Sequence, residues 1–139
     1  MTLLLDTNVV SELRKVRLGN ADTNVARWSE TLDTADLFIS AVTIHELAIG
    51  VLLAERRDPP QGAVFRQWLE RQVMSAFEGR ILPVDVAVAR RAAQLHVPDP
   101  QPINDAFIAA TALVHGMTVV TRNVADFTAT GVRLLNPWL

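Results

Sequence analysis

Apolar positions along the chain follow two alternating rhythms. Short, largely apolar runs recur at Leu3-Leu4-Leu5, Leu37 to Val42, Ile81 to Val84, Thr118 to Thr121 and Val132 to Leu135. They are too short for helices and fit strands buried on both faces. Between them the apolar residues switch to helical spacing: Val25, Trp28 and Leu32 on one face, then Phe65, Trp68, Leu69, Val73 and Phe77 on another. Polar residues and glycines punctuate the changes of rhythm. The cluster Asp6-Thr7-Asn8 ends the first strand, and a helix begins over Val9 to Arg14. Thr43 caps a helix running through Leu53 to a turn at Asp58-Pro59-Pro60-Gln61-Gly62. Val64 to Phe77 is the next helix, and Asp85 caps Val86 to Leu95. A Pro-rich loop, Val97 to Pro102, leads to Ala106 to His115, which Gly116 closes. Pro83 puts the third strand at an edge or an end.

Strands alternating with helices predict an α/β fold, a three-layer sandwich around a mostly parallel central sheet, as a single domain over residues 1–139. In such a sheet, ligands gather beyond the carboxyl ends of the strands. Trp28, Trp68, Leu52 and Leu53 are assigned mainly to core packing, with a partner-binding groove as the alternative, and Arg14, Lys15 and Arg17 to a solvated helix end, with nucleic-acid guidance as the alternative.

Composition narrows the chemistry more than the fold. Apolar residues make up 50% of the chain, enough for a substantial core, and there is no Cys. Disulfides and thiolate metal sites are thereby excluded, and a cytoplasmic setting is expected. The apolar run at the amino terminus is too short for a signal peptide, and none approaches the roughly 20 residues of a membrane span. The net charge of −2 does not mark a strongly basic nucleic-acid binder.

Four acids fall where a site would form. Asp6 follows the first strand, Glu46 lies one turn into the helix after the second, Asp105 opens the helix after the Pro-rich loop, and Asp126 lies in the loop after the fourth strand. Each has a local explanation. Asp6 or Asn8 caps a helix; Thr43 and Glu46 match a capping box; Asp105 suits a first helical turn; Asp126 suits an Asx turn. Their coincidence at one edge has a chemical use. Clustered carboxylates repel one another unless a cation neutralises them, and Mg²⁺ or Mn²⁺ takes oxygen ligands of this kind. Such a centre activates water for in-line attack on a phosphodiester. His45 is about 100° around its helix from Glu46 and does not share its direction. Neither a zinc-binding HExxH pair nor a nucleophile elbow occurs. A haloacid-dehalogenase-type phosphatase would need Asp where Asn8 stands. A receiver domain would need a lysine after a late strand, whereas the only lysine is Lys15.

Four blocks carry a family resemblance: Leu4-Leu5-Asp6-Thr7-Asn8-Val9-Val10-Ser11-Glu12-Leu13, Ser40-Ala41-Val42-Thr43-Ile44-His45-Glu46-Leu47, Asn104-Asp105-Ala106-Phe107-Ile108-Ala109-Ala110-Thr111-Ala112, and Thr121-Arg122-Asn123-Val124-Ala125-Asp126-Phe127. In order and spacing the chain resembles PIN-domain ribonuclease toxins of the VapC and FitB-like group, from type II toxin–antitoxin systems. The resemblance implies that Asp6, Glu46, Asp105 and Asp126 are the catalytic, metal-binding acids, supported by Asn8, Thr121 and Asn123. It also implies Mg²⁺ or Mn²⁺ as cofactor, RNA as substrate, a homodimer, and a small cognate antitoxin. The alternative is a catalytically silent PIN fold used as a binding module.

Overall fold

The structure, a computed structural model, describes all 139 residues. Five short strands form its sheet: β1 (Leu3–Leu5), β2 (Leu37–Ser40), β3 (Ile81–Leu82), β4 (Thr118–Val120) and β5 (Leu134–Leu135). Their order is β3-β2-β1-β4-β5, and every pairing is parallel. The helices are α1 (Thr7–Leu18), α2 (Thr23–Ser29), α3 (Ala41–Arg57), α4 (Pro59–Gln67), α5 (Met74–Ala76), α6 (Val86–Leu95), α7 (Ile103–His115) and α8 (Val124–Phe127). A π-helical segment, Trp68–Val73, joins α4 to α5.

Period-2 alternation divides the core. Leu3, Leu5, Ile39 and Val120 point to one face, where Val9, Val10, Leu47, Val51, Leu69 and Val73 cover them. Leu4 and Val119 point to the other, under Ile108, Ala109, Ala112 and Phe127. This is the expected three-layer sandwich. β3 is an edge strand, as Pro83 implies. Asp85 caps α6 by accepting from the Val88 N–H at 2.9 Å, and Gly116 ends α7 at φ 69°, a left-handed backbone that glycine adopts without strain.

The structure differs from the sequence reading in several places. Helix α3 begins at Ala41, not after Thr43, because Ser40 caps it, accepting from the Val42 N–H at 3.0 Å. Helix α1 begins at Thr7, α7 begins at Ile103, and Asp126 lies in α8 instead of a loop. The turn expected at Asp58–Gly62 is a single residue: Asp58 ends α3 and also caps α4, through Gln61 N–H. Prolines 59 and 60 therefore occupy the first turn of a helix, where a missing N–H costs nothing. Trp28 and Trp68 pack against the core, but Leu52 and Leu53 are each 58% exposed. Their positions on α3 fall on the face turned away from the sheet.

Candidate active site

Strand order reverses direction at β1, between β2 and β4, so the switch point where ligands of such sheets gather lies beyond the carboxyl ends of β1 and β4. Asp6 stands there, one residue past β1, its N–H donating to the Val120 carbonyl at 2.9 Å. It is 6% exposed. Oδ1 accepts from the Thr7 N–H at 2.8 Å, capping α1. Oδ2 accepts from Thr121 Oγ1 at 2.8 Å and from Asn8 Nδ2 at 3.3 Å. Thr121 follows β4, so the two central strands hold one carboxylate in one orientation. Asn8 is fixed in turn, its Oδ1 accepting from the Arg122 N–H at 3.3 Å. Asp6 is therefore both a helix cap and the centre of a polar network.

Glu46 is not part of a capping box. Its Oε1 accepts from Thr7 Oγ1 at 2.6 Å, and Thr7 Oγ1 lies 3.1 Å from the buried Thr43 Oγ1. Thr7 thus bridges the neighbours of Asp6 to Glu46 and tethers α3 to the end of β1. The residue pattern gives Thr7 no separate emphasis, although a hydroxyl directly after the strand-end aspartate is the available signal. Asp105 lies in the first turn of α7, whose amino terminus has no side-chain cap. Because α7 leads into β4, that amino terminus lies at the sheet's carboxyl edge. Asn123 contributes through its backbone, donating to Thr121 Oγ1 at 3.0 Å. Its side chain is exposed and takes no part in the network.

Electrostatics ties the four acids together. Burial pushes the Asp6 carboxyl above the ordinary aspartate range. The Thr121 hydroxyl and Thr7 N–H oppose that shift, and the charges of Glu46 and Asp126 add to it. Burial is also the largest cause at Asp105, where the charges of Asp6, Asp126 and Glu46 help push the pKa up to about 6. No hydrogen bond to Asp105 offsets this. Mutual influence of this kind requires all four to share one neighbourhood. No trio of His, Cys, Asp or Glu side chains is already drawn together as a metal cage. The donor set is nevertheless all oxygen and anionic, which matches a hard divalent cation and no softer metal. Asp6 is held in place by its three hydrogen bonds, while Asp105 accepts none.

Fold and site together define an α/β protein with an acidic centre at the switch point of a parallel sheet. The chain matches the PIN domain family over residues 3–131 and belongs to it. It is similar to VapC ribonuclease Y4jK of Sinorhizobium fredii, at 36% identity over 98% of this chain and 97% of that protein. It is also similar to toxin FitB of Neisseria gonorrhoeae, at 37% identity over 98% of each. Among solved structures, FitAcB from Neisseria gonorrhoeae gives a TM-score of 0.88 at 36% identity, covering 99% of both chains. FitAB bound to the IR36 DNA fragment gives 0.88 at 35% identity, covering 99% of this chain and 96% of that one.

Proposed function

We propose that the protein is a divalent-metal-dependent endoribonuclease, the toxin of a type II toxin–antitoxin pair, with Asp6, Glu46, Asp105 and Asp126 as its metal-binding acids. The observation that carries this reading is the gathering of acids at the switch point, where Asp6 and Asp105 are both pushed upward, by burial first and then by the charges of their acidic neighbours. Membership of the PIN family and similarity to a VapC ribonuclease support it. Asp6 is the fixed member of the set, oriented by Thr7, Asn8 and Thr121. Glu46 is aimed by the Thr7 hydroxyl. Asp105 and Asp126 complete the set from α7 and α8. Mg²⁺ or Mn²⁺ held by these acids would supply an activated water and neutralise charge developing on the phosphodiester. The uncapped first-turn N–H groups of α7 stand at the same edge, able to donate to phosphate oxygens.

The proposed partners are a small cognate antitoxin and a second copy of this chain. Similarity to FitB in the FitAB complex supports the first. The exposed Leu52 and Leu53 of α3 supply apolar area for such contacts. No helix is long and apolar enough to cross a membrane.

The test is cleavage of single-stranded RNA by the purified protein with Mg²⁺, with Mn²⁺ and with excess chelator. Cleavage with either ion, lost in chelator and in Asp105→Asn, is the expected result. Equal cleavage in chelator overturns the metal-dependent reading. RNA binding without cleavage under every ion condition would instead establish a silent binding module.

A further inference from the structure

Beside the acids, between α1 and the α3–α4 hairpin, lies a cavity of about 360 Å³ whose lining includes Thr7, Glu46, Arg14, Lys15, Phe65 and Trp68. That volume falls at the lower end of the range for small-molecule sites. Two of its walls, Thr7 and Glu46, belong to the acidic network itself, so an occupant of the cavity is in direct contact with the candidate centre. The far wall has a different character. The Arg14 guanidinium lies 4.6 Å from the centre of the Phe65 ring and 6.0 Å from that of Trp68. Arg14 is half-buried and has no carboxylate partner. The ion pairs of the chain join Lys15 to Glu12, and Arg66 to Glu55 and Glu70. Phe65 of this wall lies in α4, and Trp68 opens the π-helical segment that follows. Such segments are rare and recur at functional sites.

A half-buried, unpaired guanidinium backed by aromatic rings is a planar cationic surface. Surfaces of this kind stack single-stranded nucleobases and accept any base, since every base has a π-face. We propose that the cavity is a nucleobase subsite. The base of a nucleotide adjoining the scissile phosphate stacks on the Arg14 guanidinium, with Phe65 and Trp68 behind it. Lys15, its side chain 51% exposed at the rim, meets the neighbouring phosphate. An acidic protein side chain would also find Arg14 and Lys15. It would have to approach Glu46, however, and would leave the aromatic wall unused, so the observations favour RNA. The proposal rests on the ribonuclease reading above, and it adds where the substrate is gripped.

The experiment uses the full chain with Mn²⁺ and a short oligoribonucleotide cleaved at one position, together with versions carrying one abasic nucleotide at successive positions. Wild type is compared with Arg14→Ala and with Arg14→Lys, which keeps the charge and loses the plane; melting curves check that each variant is folded. The expected result is that one abasic position next to the cut lowers wild-type kcat/KM by about tenfold, the size of one stacking contact. Both variants should lose about the same factor on intact RNA and be indifferent to that abasic position. Full activity in Arg14→Lys, or an abasic penalty unchanged in Arg14→Ala, overturns the subsite alone. Variants that cleave normally and lose only capture of a protein partner also overturn it, in favour of a docking surface. Absence of any cleavage by wild type overturns the ribonuclease reading and the subsite together.

Discussion

At the residue scale, Asp6 and Asp105 are acids at one sheet edge that repel each other but differ in support. Asp6 accepts from an N–H, a hydroxyl and an amide, and these bonds oppose the cost of its burial. Asp105 has only burial and the repulsion of three other acids, which push it up to about 6. A carboxyl whose folded pKa exceeds its unfolded value of roughly 3.9 adds relative stability below that value. The contribution is lost as pH rises from about 4 through about 6. At pH 7.5 without metal, Asp105 is therefore a destabilising charge. Asp105→Asn is expected to melt higher than wild type by on the order of a few degrees there, with the difference vanishing below about pH 4. Paired melting curves across that range check it; a lower melting temperature at pH 7.5 would show that Asp105 has a stabilising partner. Because protons and cations compete for the same oxygens, Mn²⁺ affinity should fall as pH drops below about 6, measurable by calorimetric titration.

At the scale of elements, the α3–α4 hairpin is shaped by one glycine. Gly62 is buried against α3, and a Cβ there would come within 2.5 Å of the Glu55 backbone nitrogen. The two helices approach this closely because no side chain intervenes, while Arg66 reaches back to Glu55 with bonds of 2.6 and 2.7 Å. Gly62→Ala should destabilise the protein by about 1–3 kcal/mol through overpacking, despite the better helix propensity of Ala. Gly50, on the same hairpin, has nothing within 4 Å of its absent Cβ. Gly50→Ala should stabilise by roughly 0.5–1 kcal/mol. Urea denaturation of the pair separates sterics from propensity. If both substitutions stabilise, the close approach at Gly62 is not a constraint.

At the scale of the molecule, the acids arrive from four places: the end of β1, α3, α7 and α8. On the proposed reading, cation binding would join segments from both faces of the sheet, and it would select the folded chain because the unfolded one cannot assemble the set. At a free concentration of 100 times Kd, Mn²⁺ should stabilise wild type by about 2.7 kcal/mol. Asp105→Asn, already relieved of repulsion, should gain little. Equal stabilisation of both proteins would mean that the cation binds away from these acids.

Leu3-Leu4-Leu5 as a strand, Asp85 as a cap and Gly116 as a helix stop are properties of a few consecutive residues, and the chain itself determines them. So is the alternation that places Leu4 and Leu5 on opposite faces of the sheet, from which the three-layer arrangement follows. The ordered placement of four acids after strands and at helix starts was equally legible, because all-parallel topology sends strand ends to one edge. What each polar side chain does at that edge was not. Thr43 and Glu46 have the spacing of a capping box, yet Ser40 caps α3 and Glu46 turns to Thr7, 39 residues away. Asn123 falls in a family block, yet only its backbone enters the network. Arg14 reads as solvated and lies over Phe65, while Leu52 and Leu53 read as core and face outward. A capping box and a distant hydroxyl compete for the same carboxylate at similar strength, so local pattern cannot choose between them. The choice falls to contacts such as that between Asp6 and Thr121, 115 residues apart, which exist only once β1 and β4 are paired.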